Sequence, residues 1–157
     1  MKAETVSRPL DILLVEDNRA DIRLAEKAIR ASGINYRLIV VRDGAEALQY
    51  LREPESGTDL LHRPDLVLLD LNMPRRDGRE VLSEIKSDDR LRSIPVVILT
   101  TSEAESDIQM AYRLHANSYV VKPMDVTQFM QVVGVLARFW DAHLPRNLSE
   151  QAGSAPL

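Results

Sequence analysis

Leu66 to Leu69 form a continuous apolar run, and the run stops at Asp70. A strand that is apolar at every position has no face to offer to water, so it belongs inside a sheet covered on both sides. Asp70 then stands where a buried strand leaves the core. Asn72, Met73 and Pro74 follow, with a second turn signal at Asp77-Gly78. Taken alone, such an acid is well explained as a turn cap. The ends of the other strands decide between that and a reactive carboxylate carried on a rigid element.

Four more apolar runs read as strands: Leu10 to Val15, Tyr36 to Val41, Pro95 to Thr100 and Ser118 to Val121. Helical patterns separate them. Asn18 is a plausible N-cap for a helix reaching about Ser32, with Ile22, Ala25, Ala28 and Ile29 at helical spacing and Gly33 as its stop. Asp43 caps Gly44 to about Leu51, and residues 52–64 read as a long loop in which Leu60 and Leu61 pack down on the domain. Arg79 to Ser87 and Glu103 to His115 supply two further helices, and a last one starts at Asp125 or Thr127 and reaches Trp140 or beyond. Five strands alternating with five helices predict a parallel sheet with right-handed crossovers and helices on both faces, a three-layer α/β sandwich. The chain divides into a lead-in at 1–9, one domain at 10–143 and a tail at 144–157 whose composition is that of a disordered segment.

Composition narrows the chemistry. A length of 157 residues, 45% apolar and 28% charged, fits one globular domain. The net charge of −4 offers no basic footprint for nucleic acid. The absence of cysteine excludes disulfides, thiol nucleophiles and thiolate metal sites. His62, His115 and His143 lack ligand spacing and read as surface residues. With no apolar signal core and no membrane-length run, the expectation is a cytoplasmic protein without membrane contact.

In an open α/β sheet, ligands bind beyond the carboxyl ends of the strands, where strand order reverses. The residues just past those ends are Glu16-Asp17, Asp70, Thr100-Thr101 and Lys122. If the first and third strands are neighbours, three carboxylates share one space, which disfavours their ionised forms unless a cation sits among them. Carboxylate oxygens suit Mg²⁺ (or Mn²⁺), and a divalent ion with Lys122 brings three carboxylates near neutrality. Such a site suits in-line phosphoryl transfer to a carboxylate. Asp70 is the candidate phosphoacceptor. Glu16, Asp17, Asp70 and the Asn72 backbone carbonyl are the candidate metal ligands. Thr100 and Lys122 would stabilise the phosphoryl oxygens. Thr101, Ser102 and Asn72 would tune water access.

With the acidic pair Glu16-Asp17, LDLNMPRRDG around Asp70, Thr100, Tyr119 and Lys122-Pro123, the chain resembles a two-component response-regulator receiver domain over about Leu10 to Trp140. The resemblance implies a flavodoxin-like (βα)5 fold with strand order 2-1-3-4-5. It implies phosphotransfer from a histidine kinase onto Asp70 with Mg²⁺. It also implies a switch in which Thr100 moves toward the phosphoryl group while Tyr119 turns inward, and a cis peptide before Pro123. Such a chain is a phosphoacceptor rather than an enzyme acting on other substrates. The wording of LLVEDNRADIRLAEKA, of LDLNMPRRDGREVLSEIK and of FWDAHLP at 139–145 is similar to stand-alone regulators paired with bacterial phytochrome kinases.

Only 17 residues follow Trp140, too few for an output module, so the expected output is a protein contact. On the last helix Val126, Phe129, Met130, Val133, Leu136 and Trp140 form one stripe, expected to face the sheet. Val132, Val135 and Phe139 lie to another side and, with Trp140, are candidates for a homodimer patch, with the tail as a candidate arm in dimerisation. Three alternatives stand beside this reading. A metal-dependent phosphatase forming an aspartyl phosphate would need an acid where Asn72 stands. A flavodoxin-like cofactor binder would need a glycine-rich phosphate loop where Glu16-Asp17-Asn18 stands. A receiver-like scaffold that is never phosphorylated would not need the full site.

Overall fold

The computed structural model describes residues 8–53, 63–74 and 76–144. The expected packing of Leu60 and Leu61, and the tail beyond Leu144, lie outside these residues. The elements run β1 (Leu10–Val15), α1 (Arg19–Ala31), β2 (Tyr36–Val41), α2 (Gly44–Arg52), β3 (Leu66–Leu69), α3 (Gly78–Ser87), β4 (Val96–Thr100), α4 (Glu105–Arg113), β5 (Ser118–Val121) and α5 (Val126–His143).

The five strands form one parallel sheet in the order β2-β1-β3-β4-β5. Successive side chains of a strand point to opposite faces, and here both faces are covered. Leu13, Val15, Val67, Leu69, Val96 and Ile98 join the core beneath α2 and α3. Ile12, Leu14, Leu66, Leu68, Val97 and Leu99 join the core beneath α1 and α5. The near-continuous apolar runs of the inner strands therefore need no polar face.

The helix starts follow the capping chemistry legible in the chain. Asn18 Oδ1 accepts from the Asp21 amide at 3.0 Å, Asp43 Oδ1 from the Glu46 amide at 2.8 Å, and Asp125 Oδ2 from the Gln128 amide at 2.9 Å. Gly33 takes φ 83° past the end of α1, the left-handed turn that favours glycine.

Three local expectations are corrected. The helix expected to reach His115 ends at Arg113, and His115 itself takes φ 70° while the Ala116 amide donates to the Ala111 carbonyl at 2.9 Å. That left-handed closure satisfies the last carbonyls in a shorter helix. Val126 is 54% exposed and leaves the sheet-facing stripe, because it sits in the first turn of α5, before the helix meets the core at Phe129. The lead-in is not wholly loose: the Arg8 guanidinium makes two 2.9 Å hydrogen bonds to Asp65, fastening residue 8 at the foot of β3.

Candidate functional site

The chain leaves β1 toward β2 on one side and returns to β3 on the other, so β1 and β3 flank the point where strand order reverses. Val15 and Leu69 are register partners, and the Asp70 amide donates to the Val15 carbonyl at 3.1 Å. Glu16 and Asp70, the next residues, emerge side by side. Carboxylate oxygens of Glu16, Asp17 and Asp70 lie within 4.8 Å of one another. Glu16 and Asp70 are buried, while Asp17 is exposed and opens the cluster to solvent.

Lys122 leaves the end of β5 and reaches into this cluster. Its Nζ lies 2.8 Å from Glu16, 2.9 Å from Asp21 and 3.1 Å from Asp70, so the three directions of its ammonium each meet a carboxylate. Burial opposes the ammonium charge, but the hydrogen bonds to Asp21 and Glu16 outweigh it and hold the lysine above its ordinary range. Glu16 behaves differently. Burial pushes its carboxyl up to about 7; Lys122 pulls down, while the nearby Asp70 charge pushes up again. A buried carboxyl whose ionisation is disfavoured in this way is one that a divalent cation would ionise. Together with the oxygen-only donor set, it fits a hard cation of the Mg²⁺ or Mn²⁺ kind.

The loop after β3 is steered tightly. The Asn72 amide donates to Asp70 Oδ1 at 3.2 Å, and the Gly78 amide to the Leu71 carbonyl at 2.9 Å. A Cβ at Gly78 would lie 2.1 Å from the Asp70 carbonyl oxygen, and one at Gly44 would lie 1.8 Å from the Arg76 carbonyl oxygen. Only glycine permits either approach. The result is an open cleft lined by Asp17, Asn72, Met73, Pro74, Asp77 and Arg79. Asn72 is exposed on it, beside Asp17.

Thr100 ends β4 fully buried, and its Oγ1 accepts a long 3.5 Å bond from the Ser102 amide. The Thr100 carbonyl accepts from the Lys122 amide at 2.7 Å, which ties the ends of β4 and β5 together. Tyr119 is half-buried against the core, and its hydroxyl donates to the Ser102 carbonyl at 2.9 Å. The cis peptide expected before Pro123 is not found: no peptide bond among the described residues is cis. The trans form of an X–Pro bond is lower by about 0.5–1 kcal/mol, and with it Lys122 already reaches all three acids.

The dimer candidates on α5 divide. Val135 and Phe139 are 56% and 47% exposed. Val132 is half-buried, and Trp140 packs against the core. Phe139 stacks on His143 with ring centroids 4.1 Å apart and meets Trp140 edge-on at 5.2 Å.

Two features have no mark in the sequence alone. Asp21 reads there as a first-turn acid complementing the helix dipole, yet it is also a partner of Lys122. Arg79, Asp107 and Ser102 form a polar chain next to the site, with Arg79 bonding Asp107 at 2.9 and 2.8 Å and Ser102 Oγ donating to Asp107 at 2.6 Å. Asp21 lies six residues past the end of β1, in the first turn of α1.

Known proteins share this fold and much of this sequence. The response regulator receiver domain family matches residues 12–134. Response regulator Rcp1 of Synechocystis sp. is 44% identical over 132 residues, covering 84% of this chain and 89% of that protein. The crystal structure of the phosphorylated cyanobacterial phytochrome response regulator RcpA superposes with a TM-score of 0.78 at 50% identity, covering 84% of this chain and 94% of that one. The bacteriophytochrome response regulator RtBRR gives 0.67 at 45% identity, covering 82% and 77%.

Proposed function

Because the chain belongs to the response regulator receiver family, we propose that it accepts a phosphoryl group on Asp70 from a histidine kinase and signals through protein contacts. The observation that carries this reading is the convergence of Glu16, Asp17, Asp70 and Lys122 beyond the strand ends at the reversal point of the sheet. In the step itself an Asp70 carboxylate oxygen bonds to phosphorus as the phosphorus–nitrogen bond of a phosphohistidine breaks. The imidazole leaves with the electron pair of that bond.

Bound Mg²⁺ would be held by Glu16, Asp17, Asp70 and the Asn72 carbonyl, and would supply positive charge where phosphoryl oxygens gather. Mn²⁺ is a reasonable substitute, since one of the similar solved structures is the Mn²⁺-bound form of Rcp1. Lys122 begins with its three donors on three acids. Once the Asp70 oxygens carry phosphorus, the donor now on Asp70 is free to turn to the phosphoryl group, while Glu16 and Asp21 keep the ammonium in place. Thr100, buried at the end of β4, supplies a hydroxyl to the same group, and the Tyr119 side chain follows the loop that Thr100 begins. Readout then falls to the face of α4, β5 and α5.

On this reading residues 10–143 are the receiver, the protein works in the cytoplasm, and the kinase is a bacterial phytochrome. No helix among the described residues is long and apolar enough to cross a membrane. The exposed Val135 and Phe139 on α5 favour a homodimer as the output contact. The test is labelling by acetyl phosphate with Mg²⁺, followed by transfer from phytochrome and unrelated histidine kinases compared side by side. Wild type should be labelled, fastest by the phytochrome kinase, and Asp70→Asn should not. Equal labelling of Asp70→Asn would overturn the assignment.

A further inference from the structure

We propose that Arg79 and Asp107 form a positioning brace that sets the Ser102 carbonyl to receive the Tyr119 hydroxyl before any phosphoryl group arrives. The inference rests on the phosphoacceptor reading and adds residues which that reading does not use.

The brace is continuous. Arg79, in the first turn of α3, makes paired bonds of 2.9 and 2.8 Å to the two carboxylate oxygens of Asp107 on α4. Its remaining nitrogen reaches the carbonyl of Leu71, the residue after Asp70, at 3.4 Å. Asp107 also accepts from the Ser102 hydroxyl at 2.6 Å, and the Ser102 oxygen accepts from the Ala104 amide at 3.3 Å. The Ser102 carbonyl takes the Tyr119 hydroxyl at 2.9 Å. Hydrogen bonds thus run from the neighbour of the phosphoacceptor to the switch aromatic, through side chains of three different elements. A paired arginine–carboxylate contact fixes both distance and plane, which a lysine would not.

Packing leaves α4 dependent on this polar contact. Helices α1, α2, α3 and α5 each bury four residues, whereas α4 buries only Ala111. Its N-cap, Ala104, offers no side-chain cap. A helix with so little core contact is free to shift unless something polar holds its first turn, and Asp107 lies in that turn. Arg79 first, and Ser102 second, hold the Asp107 carboxyl below its ordinary range, so it stays charged at neutral pH. The brace therefore sets where α4 begins, and with it the loop that Tyr119 reads.

The test labels the full chain with 3-fluorotyrosine and follows the Tyr119 fluorine line, assigned with Tyr119→Phe, without metal or phosphoryl analogue. Wild type should give one narrow Tyr119 line. Arg79→Gln and Asp107→Asn should each broaden or split that line while leaving those of Tyr36 and Tyr50 in place, and the double variant should do no more than either single. Ser102→Ala, which removes only the hydroxyl, should act in the same direction and serves if an Arg79 variant does not fold. An unchanged Tyr119 line in these variants, or equal movement of all four tyrosine lines, would overturn the brace. Labelling of Asp70 by acetyl phosphate is measured separately, so a failed phosphoacceptor reading shows there and not in the fluorine spectra.

Discussion

Lys122 Nζ lies 3.1 Å from an Asp70 carboxylate oxygen, although 52 positions separate the two residues in the chain. Both are buried, and the same ammonium holds Glu16 and Asp21. The lysine thus makes a buried cluster of acids tolerable, and it stands at the atom proposed to receive phosphorus. Removing one partner of such a cluster leaves uncompensated charge in the interior. Lys122→Ala should lower stability in EDTA by about 3–5 kcal/mol, and Mg²⁺ should restore part of the loss. Urea unfolding with and without the metal reads both effects; an unchanged midpoint in EDTA would refute the role.

Glu16 makes stability depend on pH in an unusual direction. Its folded carboxyl is pushed up to about 7, against an ordinary value of 4.5. Between those values the folded state binds more protons than the unfolded one, so stability falls as pH rises from about 4.5 to about 7. The metal-free protein should lose stability across that window, and Glu16→Gln should flatten the loss. Mg²⁺ binding near pH 6 should release protons, which calorimetry in buffers of different ionisation enthalpy detects.

Two glycines should respond oppositely to alanine. Gly78→Ala would drive a methyl to 2.1 Å from the Asp70 carbonyl oxygen and 2.6 Å from the Leu71 Cα, both backbone atoms. The loop must move, at a cost of about 3 kcal/mol or more, and phosphorylation should fall with it. Gly134→Ala, inside α5, meets its nearest atoms at 3.6 and 3.9 Å. It should stabilise by about 0.5–1 kcal/mol. Urea midpoints and acetyl phosphate labelling of the pair provide the comparison.

The exposed residues of α5 should separate association from folding. Val135→Asp and Phe139→Asp replace side chains about half exposed to solvent. Val135→Asp should change stability by less than about 0.5 kcal/mol, and Phe139→Asp, which also loses ring contacts with Trp140 and His143, should cost about 0.5–1.5 kcal/mol. Each should also abolish the proposed dimer in light scattering. Trp140→Ala, which removes a side chain packed on the core, should destabilise the monomer itself. A wild-type chain that scatters as a monomer at tens of micromolar, with or without beryllofluoride, would refute the dimer.

The strands, the places where they stop and the helix caps are legible because each depends on neighbours in the chain. The apolar run at Leu66 to Leu69 implied a strand covered on both faces, and Asn18, Asp43 and Asp125 marked helix starts through local hydrogen bonds. The expectation at Pro123 failed because the isomer of a prolyl bond depends on surroundings that no short stretch encodes. Val126 failed for a related reason: helical periodicity describes a face but not where along the helix the core begins.

Five strands, with the acids and the lysine at their ends, are legible in the chain alone, and with them the class of chemistry available; the structure buries the inner three and leaves β2 and β5 half-buried at the edges. Only the tertiary structure decided that Asp21 shares Lys122 across 101 positions, and that Arg79 of α3 grips Asp107 of α4. The physical reason is range. Periodicity and capping act over a few residues, whereas the partner of a long charged side chain is chosen by which elements the crossovers bring together. Those pairings become visible only once the sheet is assembled.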